Sequence, residues 1–274
     1  MSYESFYGMK EPPFFNIPDE RYFFSYPQNE RAIFKIIHAL KRRMGLTVVT
    51  AGIGTGKTML SRKILEMLNN EFFETSLIVM VHNQVDPLWF LRKLVVQFRG
   101  DPSTADKMSL LNLLYKQLMS VSARGKIPVV MVDEANMIQN KEFFEEIRGL
   151  LNFEHKTGKL INFVFFGLPE LRENLRMDMP LTQRIATAIE LRPMDEKTTI
   201  QYMRHRLIMA GAKRMMFDQD SILMIYKYSG GIPRLINTIA DNALLEGFIE
   251  KSEVITNRII NNTLIDLGMI TTAR

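Results

Sequence analysis

Ala51-Gly52-Ile53-Gly54-Thr55-Gly56-Lys57-Thr58 is the stretch on which the reading of this chain turns. It follows an apolar, β-rich run over residues 46–50 and opens a segment with helical spacing over residues 57–69. Glycines let such a loop fold back so that successive backbone N–H groups converge, and the helix behind it adds the positive end of its dipole. A cradle for phosphate results. The spacing is that of a Walker A loop, with Ala51 where glycine is commoner. On that reading Gly52, Ile53, Gly54, Thr55, Gly56, Lys57, Thr58 and Met59 contact the nucleotide. Lys57 reaches its β- and γ-phosphates and the Thr58 hydroxyl ligates Mg2+. The structural alternative is a Gly-rich strand-to-helix turn that binds nothing; the strand–loop–helix order argues against it.

A second signal lies downstream. Val129-Val130-Met131-Val132-Asp133-Glu134 is an apolar run that ends in two carboxylates. Strand ends often carry acids, so the run alone says little. Behind a phosphate loop it says more, because ligands of parallel sheets sit at the carboxyl ends of strands. Asp133 is then the Mg2+ ligand and Glu134 the group that orients and polarises the attacking water. The second acid fits an ATPase better than a GTPase or a small-molecule kinase.

Further strands are expected at residues 77–81, 161–166 and 186–191. Helices are expected at 30–43, 87–98, 105–123 and 141–155. Strands alternating with helices imply a parallel sheet covered on both faces. Beyond Arg192-Pro193 the pattern is helical only, broken at Gly211, at Gly230-Gly231-Ile232-Pro233 and near Ser252. The expected organisation is an α/β domain over residues 1–192, including an N-terminal arm, and a small all-α domain over residues 193–274.

The chain of 274 residues has no cysteine, which excludes disulfides and thiolate metal sites, and it has no apolar run long enough to span a bilayer. With no signal-type N-terminus, a cytoplasmic protein is expected, docked at a membrane only through a partner. The formal charge of +5 suits a polyanion, but the cations are dispersed, which favours an ordinary solvated surface. The four histidines have no carboxylate at ligand spacing, and the 19 methionines fall on apolar patterns as gap-fillers. The aromatic cluster from Phe14-Phe15 to Tyr22-Phe23-Phe24 suits either an adenine contact or an arm sealing the sheet. Arg184, before the last strand, and Arg234, behind a Gly-Pro turn, read by themselves as surface arginines.

Taken together these residues resemble the AAA+ ATPases and, more narrowly, the general secretion pathway protein A (ExeA-like) family. The resemblance runs over nearly the whole chain: Tyr3-Glu4-Ser5-Phe6-Tyr7-Gly8-Met9-Lys10-Glu11, Pro13-Phe14, Pro18-Asp19, the phosphate loop and Asp133-Glu134-Ala135-Asn136. It continues in Leu150-Leu151-Asn152-Phe153-Glu154, Gly158-Lys159-Leu160, Gly167-Leu168-Pro169-Glu170-Leu171, Gln183-Arg184-Ile185 and Gly231-Ile232-Pro233-Arg234-Leu235-Ile236-Asn237.

The resemblance implies a P-loop AAA+ three-layer parallel-sheet domain, then a helical lid, with nucleotide between them. It makes Arg184 similar to an arginine finger acting in trans, hence a homo-oligomer, and Arg234 similar to the lid arginine that senses the γ-phosphate. Members energise type II secretion and type IV pilus systems, and related ATPases serve DNA transposition. The expected function is ATP hydrolysis with Mg2+ to drive assembly or remodelling of a pilus or secretion apparatus. The alternatives are an ATP-dependent DNA-binding regulator and a slow nucleotide-controlled switch.

Three positions depart from the family pattern. Leu168 stands where Gln is usual, Asn136 replaces a common Gln, and Asn29 falls near a usual His. Leu168 favours slow hydrolysis and leaves no sensor residue to name on that strand. The transmembrane helix and peptidoglycan-binding region of secretion-type relatives do not follow residue 274, so a stand-alone accessory ATPase is the expectation.

Overall fold

The computed structural model describes residues 2–68, 71–83, 85–103, 106–156 and 158–271. In chain order its elements are α1 (Tyr3–Phe6), α2 (Pro27–Lys41), β1 (Leu46–Ala51), α3 (Lys57–Met67), β2 (Phe73–Val79), α4 (Pro87–Gln97) and α5 (Lys107–Ala123). Then come β3 (Ile127–Asp133), α6 (Lys141–Leu150), β4 (Glu154–His155), β5 (Gly158–Lys159), β6 (Asn162–Gly167), α7 (Glu170–Leu175), α8 (Met179–Thr182) and β7 (Ile185–Leu191). The rest is helical: α9 (Glu196–Met209), α10 (Gln219–Ser229), α11 (Pro233–Ile249) and α12 (Asn257–Asp266). The chain forms two compact units, one of Pro27–Ile53 and Leu60–Leu191, the other of Met1–Tyr26, Gly54–Met59 and Arg192–Arg274.

In the first unit a five-stranded sheet runs in the order β2-β3-β6-β1-β7, all pairs parallel. β1 and β6 are buried along their whole length and β3 from Pro128 onward, because strands inside a parallel sheet are covered on both faces. That is why they read as unbroken apolar runs. The edge strand β7 alternates instead, with Ala186, Ala188 and Glu190 exposed. α2 presents Ala32, Ile36, Ala39 and Leu40 as one buried stripe at helical spacing. Phe90, Phe143, Phe163 and Phe165 share one core, and burying each ring contributes roughly 2–3 kcal/mol. This is the expected parallel α/β fold surrounded by helices.

Two segments differ from the sequence expectation. The helix expected over residues 141–155 stops at Leu150, and Glu154–His155 pairs antiparallel with Gly158–Lys159. Gly158 has φ +119°, a conformation that favours glycine, and a Cβ there would meet the Arg43 Cβ at 3.0 Å. The chain therefore reverses into a hairpin. The strand expected over residues 77–81 lies at Phe73–Val79. Its polar start escapes the apolar pattern because Glu74 is met by Arg99, Arg124 and Lys126 at 3.5–3.6 Å, cations far off in sequence. The expected ends at residues 69 and 105 lie outside the described residues.

The second unit is helical, with Met203, Ile225, Ile236, Ile239, Ile259 and Ile260 at its centre. Where the sequence places a boundary after residue 192, compactness groups the residues before Pro27 with the helices. Among the residues that join them is Arg206, only 5% exposed. Its Nε donates to the Pro13 carbonyl at 2.5 Å and its Nη2 to the Phe15 carbonyl at 2.8 Å. The guanidinium also stands 4.5 Å from the ring centroids of both Phe15 and Tyr22. Asn237 donates to the Phe15 carbonyl and accepts from the buried Tyr202 hydroxyl. Burial lowers the Arg206 pKa and pushes the Tyr22 hydroxyl up to about 12. From the aromatic cluster, Phe14 enters the core of the helical unit, edge-on to Phe217, and Phe24 packs against that core.

Candidate nucleotide-binding site

The phosphate loop begins where β1 ends, and α3 begins at Lys57, so the first N–H groups of that helix point back into the loop without intrahelical partners. Gly54 has φ +75° and Gly56 φ +101°, which side chains rarely adopt. Gly54 is needed for a second reason. A Cβ there would lie 2.8 Å from the Arg234 Cβ and 3.1 Å from Ile232 Cγ2. The Arg234 N–H donates to the Gly54 carbonyl at 3.2 Å. The loop therefore rests on the start of α11, and the structure brings Arg234 to it. Thr55 and Lys57 are buried, at 6% and 7% exposure.

In the sheet, Val48 and Val132 are both level with Phe165. β1 and β3 therefore end on the same edge, separated only by β6, about 10 Å apart. Asp133 closes β3, is 5% exposed, and its Oδ1 accepts the Glu134 N–H at 2.9 Å. Glu134 takes a left-handed conformation, φ 53° and ψ 36°, which for a residue with a Cβ costs about 1–3 kcal/mol. Such strain turns the chain sharply at the strand end.

Sequence reasoning missed two braces beside this turn. Asn136 Oδ1 accepts the Leu168 N–H at 2.9 Å, joining the end of β6 to the residues after Glu134. Asn174 Nδ2 donates to the carbonyls of Asn136 and Ile138, both at 2.9 Å. Asn136 thus takes a structural role, and Leu168 leaves the position after β6 without a polar side chain. No local pattern marks Asn174, since its partners lie more than thirty residues away.

Arg184 lies elsewhere. It precedes Ile185, which is level with Leu46 at the amino end of β1. The phosphate loop leaves from the opposite edge, after Ala51, about 20 Å along the strands. Arg184 is exposed, and its Nη1 donates to Asn152 Oδ1 at 2.6 Å and to the Arg148 carbonyl at 3.2 Å. Among the described residues no helix is long and apolar enough to cross a membrane, and no group of three His, Cys, Asp or Glu side chains is placed to hold a metal ion.

With this geometry in view, residues 40–175 match the AAA domain family. The chain is 32% identical to general secretion pathway protein A of Aeromonas hydrophila over 259 residues, 93% of this chain and 46% of that protein. It therefore spans about half the length of that relative. The fold is similar to the ORC1 protein of Aeropyrum pernix in complex with DNA (TM-score 0.66, 14% identity, 92% of this chain and 68% of that one). It is also similar to Drosophila ORC bound to DNA (TM-score 0.68, 17% identity, 97% and 66%). Motif, strand order and relatives agree that the chain belongs to the AAA+ family of P-loop ATPases, in the group of general secretion pathway protein A.

Proposed function

We propose that this chain binds ATP with Mg2+ through residues 52–59 and hydrolyses it, each site being completed by a second copy of the chain. The observation that carries the reading is the shared edge of the sheet, from which β1 feeds the glycine loop and β3 delivers Asp133 and Glu134. The loop fits its ligand: Gly54 and Gly56 adopt the positive φ that turns amides toward an anion, and a Cβ at Gly56 would meet open space. Those amides and Lys57 hold the β- and γ-phosphates. Thr58 and Asp133 would supply the hard oxygen donors that Mg2+ requires, and an ion held there would offset charge on the phosphate oxygens. Glu134 orients and polarises the water that attacks the γ-phosphate, and its carboxylate takes up the proton. Arg234, tied to the loop through its backbone, senses the γ-phosphate.

Arg184, about 20 Å from the loop of its own chain, acts in trans on the charge that develops on a neighbour's γ-phosphate. Arg184→Ala is expected to lower ATP turnover about 10²-fold and to leave the Kd for ATP within about twofold. Mixing it with Glu134→Gln copies, which retain the arginine, restores part of the rate. An equal loss of ATP affinity, or no recovery on mixing, rejects the trans role.

In the cell we propose work on a secretion or type IV pilus apparatus, in the cytoplasm and docked to the inner membrane by a partner; the likeness to general secretion pathway protein A supports the secretion part of that reading. Leu168 favours a second reading, a nucleotide-controlled switch with slow turnover. Single-turnover hydrolysis separates the two: a wild type as slow as Glu134→Gln is a switch.

A further inference from the structure

The blocks Leu150-Leu151-Asn152-Phe153-Glu154 and Gly158-Lys159-Leu160 carry part of the family resemblance but take no part in the chemistry above. In the structure they form one platform. Leu150, Leu151 and Leu160 are buried in the sheet unit, and Leu160 N–H donates to the Phe153 carbonyl at 2.8 Å. The Phe153 ring meets the Tyr115 ring edge-on at 5.3 Å, and Glu154 and Lys159 pair across the β4–β5 hairpin. Asn152 stands exposed between these anchors, its N–H bound to the Gly149 carbonyl, and its Oδ1 receives Arg184 Nη1 at 2.6 Å.

The second acceptor of Arg184 is equally well supported. The Arg148 carbonyl lies 3.2 Å from Nη1, and the Arg148 side chain is fixed by Nε donating at 2.9 Å to Asp178, which is 3% exposed. Asp178 also caps α8, accepting the Leu181 N–H at 3.3 Å, and α8 leads through Gln183 into Arg184. One buried carboxylate therefore fixes both the segment that carries Arg184 and the residue whose carbonyl holds its guanidinium.

We infer that Asn152, with the Arg148–Asp178 pair behind it, positions Arg184 to meet the γ-phosphate bound by a second copy of the chain; this rests on the trans role proposed above. An exposed arginine otherwise samples many rotamers, and ordering it beforehand removes that cost from the transition state. Both protein contacts use Nη1. Among the described residues Nη2 and Nε have no protein acceptor, so one edge of the fork stays open for bidentate contact with phosphate oxygens. Asn152 is thus a positioning residue: it touches the arginine and no reacting atom.

The test is steady-state ATP turnover of the full chain carrying Asn152→Ala, Asn152→Asp or Arg184→Ala, with ATP affinity, Tm and assembly size measured alongside. Asn152→Ala is expected to lower kcat about tenfold with ATP affinity, Tm and assembly size unchanged. Asn152→Asp keeps an acceptor and retains most of the rate. Adding Glu134→Gln copies, whose Asn152 and Arg184 are intact, rescues the Asn152→Ala sites, which a defect in folding cannot do. If Arg184→Ala is slow and Asn152→Ala is as fast as wild type, or faster, the positioning role is wrong and the trans role stands. A Tm loss that tracks the rate, or no rescue on mixing, also overturns the positioning role. If Arg184→Ala turns over normally, both ideas fall.

Discussion

Glu134→Gln is expected to reduce ATP turnover about 10³-fold while ATP still binds. The substitution keeps the size and polarity of the side chain and removes only its ability to take a proton. The strained left-handed backbone at Glu134, and the Asp133 Oδ1 that accepts its N–H, do not depend on the carboxylate. On the proposed reading the groups that would hold Mg2+ and the phosphates stay in place, so the variant is expected to trap ATP. Rapid-quench hydrolysis beside equilibrium ATP binding checks this. A variant that loses binding together with turnover would show that Glu134 supports the fold of the site and not the water.

Gly231→Ala has the largest effect expected on stability. Gly231 has φ +73°, and a Cβ would lie 1.9 Å from the Met194 carbonyl oxygen and 2.9 Å from its carbon. Met194 N–H in turn donates to the Gly231 carbonyl at 2.9 Å. The obstacle is backbone held by a backbone hydrogen bond, so it cannot swing aside as the tip of a side chain can. We expect a loss of about 3–5 kcal/mol in chemical denaturation, enough to unfold a marginal helical unit. Gly230→Ala is the control: φ is +56°, but nothing lies within 4 Å of the added carbon, so only about 1 kcal/mol should be lost. Equal losses at the two positions would mean that the close approach of Met194 is not what requires glycine.

The signals that mark the candidate site are local in sequence. The glycine loop and the strand ending in Asp133-Glu134 each lie within about eight consecutive residues, and the chemistry proposed for them rests on residue type and order. β1, β3 and β6 were legible because strands buried on both faces read as unbroken apolar runs. Features built by distant partners were not. Arg206 reads as one more cation on a helix, because the carbonyls of Pro13 and Phe15 that hold it lie some 190 residues earlier. The polar half of β2 was missed for the same reason, its Glu74 being neutralised by cations on other elements. The hairpin after α6 was read as helix because nothing in the apolar spacing marks Leu150 as a stop, whereas Gly158 and its neighbour Arg43 do. Arg184 and Arg234 needed the resemblance to stand out. Their backbone and side-chain contacts then showed that one sits on the phosphate loop and the other at the opposite edge of the sheet.

The most direct measurement of the central claim is equilibrium binding of ATP and ADP to the purified chain with magnesium, beside Lys57→Ala. The account predicts saturable binding by the wild type and loss of most of that affinity in the variant, since Lys57 and the loop amides grip the phosphates. A wild-type protein that binds neither nucleotide at millimolar concentration, alone or assembled with further copies, would contradict it.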